Sequence, residues 1–322
     1  MRQALIQKMT IDGQPLDLGM FQRLSYVETL DLSGPRLLLE ADDVERTLRD
    51  DFGVREGAII AAQIDDSEMG GTLDVSEAFV IKSVDSDARN RLSIQCLAAP
   101  VDALKAPAEG PLFQALKSPG QILGAATGLA LDMGDFPLVD AWHLLPGERT
   151  SKKLRTLGRE LGAAVWYSRG RLHCHPLRRL WAGAPVATLH YADRRQPEPD
   201  QIRDWALTYR KDVVNDRIRR GYGGWSMTEG PLGGGGRYEA TQYHQRATLD
   251  NLNLATVPAI DLLLDGQGRF APGQRLALKF HRSVQGRPFD ESVPEHVMIA
   301  SMACQQRKDS YQTRIKGVIL NE

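Results

Sequence analysis

Apolar and polar residues alternate along most of this chain, and helical periodicity interrupts them only in the middle. Residues 25–41, "SYVETLDLSGPRLLLEA", give two strands broken by a Ser-Gly-Pro turn. "DDVERTLRDDFG" follows as a short helix, with Asp42 or Asp43 as its cap and Gly53 beyond its end. Strands are predicted at 58–64, 78–85 and 91–97, the last two joined by the polar turn "DSDARN". In the third, Leu92, Ile94 and Cys96 alternate with Arg91, Ser93 and Gln95, the signature of a half-buried antiparallel strand.

Prolines and a glycine in "PVDALKAPAEGPL" (100–112) then suggest a linker, after which the period changes. "SPGQILGAATGLALDM" places Ser118 to cap a helix and Pro119 in its first turn. "TSKKLRTLGRELG" is a second helix, capped by Thr150 or Ser151, with Leu154, Leu157 and Leu161 on one face and Gly162 at its end. The hairpin "AAVWYSRGRLHCHPL" turns at Ser168-Arg169-Gly170. From residue 186 strands resume: "DWALTYRK" sets Trp205, Leu207 and Tyr209 on one face. "GYGGWSMTEGPLGGGGRY" is expected as a long flexible loop, and "ATLDNLNLATVPAIDLLL" as a helix or irregular insertion. "APGQRLALKF", "EHVMIASMA" and "YQTRIKGVIL" close the chain as three strands.

The two ends repeat each other. "FGVREGAIIAAQI" (52–64) and "FAPGQRLALKF" (270–280) both lead from a Phe through a Gly into an apolar strand. Each is followed by a loop, a second strand, a short polar turn and a third strand. The expectation is one antiparallel β-barrel or curled sheet present twice, with a mixed unit between. The fold class is therefore mainly β (α+β): a first barrel over 1–104, a small α/β domain over 105–185, and a second barrel over 186–322 carrying a loop and helix insertion at about 230–265.

With 322 residues the chain is long for a single core. A net charge of -1 argues against a dedicated nucleic-acid binder. The first twenty residues hold no signal-peptide core, and the longest apolar stretch, 122–131, is far short of a membrane span. This points to a chain made in a cytoplasm and not anchored in a bilayer. Cys96, Cys174 and Cys304 are odd in number and sit in strand-like apolar contexts, so they read as buried reduced thiols.

Catalytic and cofactor motifs are missing: no Walker A, HExxH, CxxC or G-x-S-x-G occurs. "HCH" is the best metal candidate. On a strand His173 and His175 share a face and Cys174 opposes them, but nothing local offers a third ligand, so an ordinary hairpin pair is the simpler reading. "DSDARN" starts like a calcium loop, yet Arg89 takes the third ligand position and Cys96 the place of the bidentate Glu. Asp65, Asp66 and Glu68 sit on a loop tip where solvated acids are the norm. "DRIRRGYGGW" mixes arginines and aromatics as single-strand binders do, but a protein partner or an acidic neighbour accounts for it equally. No catalytic residue, metal or cofactor is assigned.

The Phe-x-x-x-x-Gly lead-in, the helix "TSKKLRTLGRELG", the hairpin with Trp166, Gly170 and Leu172, and the second barrel together resemble the baseplate hub family of contractile-tailed phages. That family includes the central hub of the T4 tail, late control protein D and the N-terminal half of type VI spike proteins. The resemblance implies a structural, non-enzymatic virion protein, part of a contractile injection system assembled in the bacterial cytoplasm. It implies a homotrimer whose two barrels per chain present six tube-like units to the tail tube or a tube-initiator ring, and true threefold symmetry to a trimeric spike. DNA would pass through its channel without specific binding. The chain stops at Glu322 with no lysozyme-like or needle segment after the last strand, so the piercing tip is expected on another chain. The long loops 65–77 and 281–295 occupy corresponding places, which makes Asp65, Asp66, Glu68, Arg282, Arg287 and Asp290 the expected protein-interface residues. Two other readings compete. One is a tail-tip cell-wall hydrolase using the carboxylates of loop 65–77 or the two histidines. The other is an OB-like nucleic-acid binder using Arg217, Arg219, Tyr222 and Trp225.

Overall fold

The computed structural model describes residues 5–67, 72–193, 195–208, 222–226, 230–232, 237–240, 246–252, 254–284, 287–307 and 310–321. The fold is mainly β. The first part holds β1 (Ile6–Ile11), β2 (Gln14–Pro15), β3 (Phe21–Thr29), β4 (Arg36–Asp42), α1 (Thr47–Asp50), β5 (Ile59–Asp65), β6 (Asp74–Ser86) and β7 (Arg91–Ala98). The middle holds α2 (Ala99–Lys105), β8 (Leu112–Lys117), α3 (Pro119–Thr127), β9 (Leu131–Met133), β10 (Val139–Leu144), α4 (Thr150–Glu160), β11 (Ala163–Ser168), β12 (Arg171–Pro176) and α5 (Leu177–Ala182). The last part holds β13 (Ala187–Tyr191), β14 (Ile202–Leu207), β15 (Tyr222–Ser226), β16 (Gly230–Leu232), β17 (Arg237–Ala240), a helix at Arg246–Leu252, β18 (Ala255–Asp265), β19 (Arg275–Val284), β20 (Arg287–Phe289), β21 (His296–Arg307) and β22 (Ser310–Asn321).

Fourteen strands form one sheet, in the order β14-β18-β22-β21-β3-β4-β7-β6-β5-β1-β2, with β19 pairing β13, β20 and β21. The internal repeat is written in its pairings. The ladder β4-β7-β6-β5 matches β18-β22-β21-β19, with β3 and β14 flanking β4 and β18 in the same way, while the outer strands differ: β1 joins β5 antiparallel and β13 joins β19 parallel. Bulges coincide as well: the β6–β7 register slips between Ile81 and Ser83, and the β21–β22 register between Ile299 and Ser301.

The lead-in to each repeat is identical in its hydrogen bonds. Gly57 N donates to Ile81 O at 2.9 Å and Ile81 N to Ala58 O; Gly273 N donates to Ile299 O at 2.8 Å and Ile299 N to Gln274 O. Both glycines take φ near +85° (84° and 85°), which a Cβ disfavours. The glycines, not the phenylalanines, are therefore the equivalent positions. Val54 and Phe270, both buried, then occupy one place, and Phe52 lies outside the match.

Several expectations change. The linker 100–112 begins with α2: Pro100 falls in its first turn, where its missing N–H breaks no bond, and Val101 and Leu104 are buried. Helix α3 has the expected capping box, Ser118 with Gln121, but stops at Gly128 in the left-handed region, and 131–133 becomes β9. Helix α4 is capped by Arg149 without a side-chain bond, while Thr150 and Ser151 are buried in its first turn. In the expected insertion, 255–265 is an eleven-residue strand between β14 and β22. Pro258 is accommodated in this strand at a bulge, where a missing donor is tolerated. Within the expected flexible loop, β15 pairs β16 and β17. Within the expected loop 281–295, β19 and β20 pair as a hairpin. Among the described residues no helix is long and apolar enough to cross a membrane.

Candidate functional site

Where the two repeats meet, β3 of the first pairs β21 of the second, Thr29 opposite Ser301 through Arg23 opposite Arg307. The seam is locked by polar groups on its buried side. Leu24, Tyr26 and Glu28 alternate onto that side, and Glu28 is fully buried. Its carboxylate accepts from Tyr26 Oη at 3.0 Å, Ser168 Oγ at 2.6 Å and Arg169 Nη2 at 3.3 Å. Burial and the neighbouring Glu28 push the Tyr26 phenol well above its usual range, so it stays a donor.

Arg169 reaches this point because β11 and β12 join through a two-residue turn, Arg169-Gly170, with φ of 50° and 78°, the geometry of a tight hairpin. Its Nη2 also donates to Gly268 O at 3.0 Å and Phe270 O at 2.6 Å. The hairpin tip thus holds both repeats. Tyr167 Oη adds a bond to Glu77 on β6 at 3.0 Å.

A second lock lies at the acidic loop. Asp66 is fully buried within the chain rather than solvated. It accepts from Leu73 N at 2.8 Å, Tyr311 Oη at 3.0 Å and Gly268 N, the last two on the second repeat. Its neighbour Asp65 is partly exposed and bonded by Ser67, which holds its carboxyl below the usual range. Glu68 lies outside the described residues. Arg282 and Asp290 form an ion pair with each other. Bonds from Ser292 and then from Arg282 lower the Asp290 pKa to about 2. Arg287 lies in β20. Among the described ones of the six expected interface residues, Asp66 is buried within this chain, and Arg282 and Asp290 pair with each other.

Two strand edges are open among the described residues. β14 pairs β18 alone along its length, although its structural equivalent β3 pairs both β4 and β21. β6 beyond Ile81 pairs β7 alone, although the equivalent stretch of β21 pairs both β22 and β3. Leu207, at the end of β14, is 45% exposed.

The sheet face opposite the buried seam forms a concavity whose lining mixes Arg23, Ser25, Glu40, Gln305, Gln312 and Arg314 with Val27, Leu38, Leu263 and Ala303. Three arginines are paired with carboxylates: Arg23 with Glu40, Arg314 with Asp261, and Arg203 with Asp265. Arg217 and Arg219 lie outside the described residues, and Tyr222 and Trp225 lie in β15.

The histidine pair gains a neighbour that the sequence does not announce. β9 pairs β12 in parallel, setting Asp132 opposite His173, and its Oδ2 lies 2.9 Å from His173 Nδ1 and 3.3 Å from His175 Nε2. A second group, His190, Asp193 and His281, is already neutralised: Arg195 binds both Asp193 oxygens and holds that carboxyl far below its usual range. All three cysteines are free and buried, and burial raises the thiols of Cys96 and Cys174 to about 12 and of Cys304 to about 11. They are not nucleophiles.

Sequence reasoning missed Glu28 and Asp132. The signal for Glu28 is its parity with Leu24 and Tyr26 on a strand. Asp132 had none, because its partner strand is forty residues away.

Compared with solved structures, the chain shares its fold over nearly its whole length with phage tail and secretion proteins. A tail protein of Neisseria meningitidis MC58 is 13% identical, with 98% of this chain and 97% of that one covered and a TM-score of 0.64. The 43 kDa tail protein of prophage MuSo2 from Shewanella oneidensis is 10% identical, with 97% of each covered and a TM-score of 0.62. An Escherichia coli component of the type VI secretion system, itself structurally similar to the T4 tail proteins gp27 and gp5, is 11% identical, with 98% of this chain and 78% of that one covered and a TM-score of 0.52. No protein-family model and no curated protein sequence matches the chain.

Proposed function

We propose that this chain is the structural hub of a tail baseplate, a trimeric adaptor between the sixfold tail tube and a threefold spike. The observation that carries this reading is the pair of open edges. Within one chain, β3 of the first repeat pairs β21 of the second. The same contact made onward needs β14 of this chain to pair the outer edge of β6, from Ser83, in a neighbour. Repeating it round a ring hides each open edge, and three chains of two repeats close as six similar units. The shared fold with tail proteins and a type VI component supports the same setting.

On this reading the two tube-like units are 1–104 and 186–322, with 105–185 as the wedge whose Arg169 sets their relation. The concave face lines the channel. Three of its arginines are neutralised by carboxylates, which weakens its hold on DNA passing through. The partners are the tail tube or its initiator ring and a trimeric spike, and the protein belongs to the virion. The test is the native mass of the purified chain across protein concentration. A threefold multiple of 35.7 kDa is expected. A stable dimer overturns the reading, because twofold closure leaves the β14 and β6 edges unmatched to a threefold spike.

A further inference from the structure

Asp132, His173 and His175 lie on one face of the three-stranded sheet β11-β12-β9. Register fixes this. Trp166 on β11, His173 on β12 and Asp132 on β9 are direct neighbours across the sheet, and His175 is two residues along from His173. The rings are held before any ligand arrives. Trp166 is buried and stacks on His173 with 4.8 Å between centroids and an interplanar angle of 11°. Gly134, just beyond β9, donates to Cys174 O at 2.8 Å. A side chain there would meet Pro176 Cδ at 2.5 Å, so glycine is what lets β9 lie this close to β12.

The hydrogen bonds determine which nitrogens are free. His173 Nε2 lies 3.2 Å from the carbonyl oxygen of Ser168, which can only accept, so Nε2 carries the proton. In the neutral ring Nδ1 is then a bare lone pair, and it faces Asp132 Oδ2 at 2.9 Å. His175 Nε2 approaches the same oxygen at 3.3 Å. Two imidazole nitrogens and a carboxylate oxygen converge with their ligand atoms within 4.8 Å of one another. Donors about 2.0–2.2 Å from a tetrahedral ion stand roughly 3.3 Å apart, close to the two separations from Asp132 Oδ2. A ring N–H given to a backbone carbonyl is also how ligating histidines are oriented.

We propose that these three side chains bind a divalent transition-metal ion of the zinc type. Two imidazoles and one carboxylate suit a borderline ion and leave a fourth position. That position faces solvent, since the Asp132 side chain is 46% exposed. The ion ties β9, a strand of three residues, to the hairpin whose tip carries Arg169. It is a structural staple, independent of the hub reading.

The test uses the untagged full chain, stripped with a chelator and dialysed against Zn²⁺, with Co²⁺ as a spectroscopic probe. Wild type is expected to retain about one more equivalent of zinc than Asp132→Asn or His175→Gln, whose affinities fall at least about tenfold. The Co²⁺ form is expected to show the intense visible bands of a four-coordinate ion with nitrogen and oxygen donors. That readout needs only wild type, so it stands if a variant fails to fold. Zinc retained equally by wild type and both variants places the ion elsewhere, for example at His190 and His281, and overturns the proposal. So does a wild-type chain that retains none, which leaves only an ion pair between Asp132 and protonated histidine.

Discussion

The guanidinium of Arg169 donates to Glu28 Oε2 at 3.3 Å, and Glu28 has no solvent exposure at all. Those residues belong to different units of the fold, a hairpin tip in the middle and the strand that joins the two repeats. A buried carboxylate is tolerable only with its charge and lone pairs answered, so the chain commits three donors to one side chain.

Arg169→Ala leaves that charge unpaired and is expected to cost about 3 kcal/mol in urea unfolding. Arg169→Lys restores the charge but not the fork, and recovers part of the loss. A Glu28→Gln background shrinks the cost of Arg169→Ala, because no charge is then stranded. Equal costs in both backgrounds would show that the ion pair is not the source.

The Asp66 lock predicts a similar loss. Asp66→Ala strands Leu73 N, Gly268 N and the Tyr311 hydroxyl, and is expected to cost roughly 3 kcal/mol by denaturant unfolding. Gly266→Ala works through the same contact without touching the acid. A Cβ there would lie 2.0 Å from Tyr311 Cδ1, so the ring must leave Asp66. A Gly266→Ala variant as stable as wild type would remove Tyr311 from the lock.

Glu160 ends α4, where the helix dipole and burial both oppose a negative charge, and burial raises its pKa to about 7. Because the folded carboxyl holds its proton more tightly than the unfolded one, stability from this group declines as pH rises from about 4.5 to about 7. Glu160→Gln is expected to raise Tm at pH above 7 and to leave it near wild type at pH 4.5. Equal shifts at both pH values would contradict the assignment.

Thr208 N donates to Ala259 O, so the neighbouring Leu207 N–H points away from β18 toward the open edge. Leu207→Pro removes that donor and leaves the ladder to β18 intact. The expected result is loss of the trimer by native mass with an unchanged far-UV circular dichroism spectrum. A variant that still assembles as wild type does would rule out β14 as the closing strand.

The alternation of Leu92, Ile94 and Cys96, the Ser118 cap and the tight Arg169-Gly170 turn were all legible in the sequence, because each is decided within a few residues. So was the repeat, since each copy needs a glycine at positive φ to start its strand. Pro100 pointed to a linker where α2 runs, because a residue that lacks a donor is harmless wherever none is needed, and only the fold says where that is. Asp66 read as a solvated loop acid, and the tertiary structure alone decided otherwise. What a carboxylate does depends on which donors reach it, and here those come from residues as far as 245 positions away. Local backbone preference wrote the strands, and long-range pairing chose the side chains that hold the two copies together.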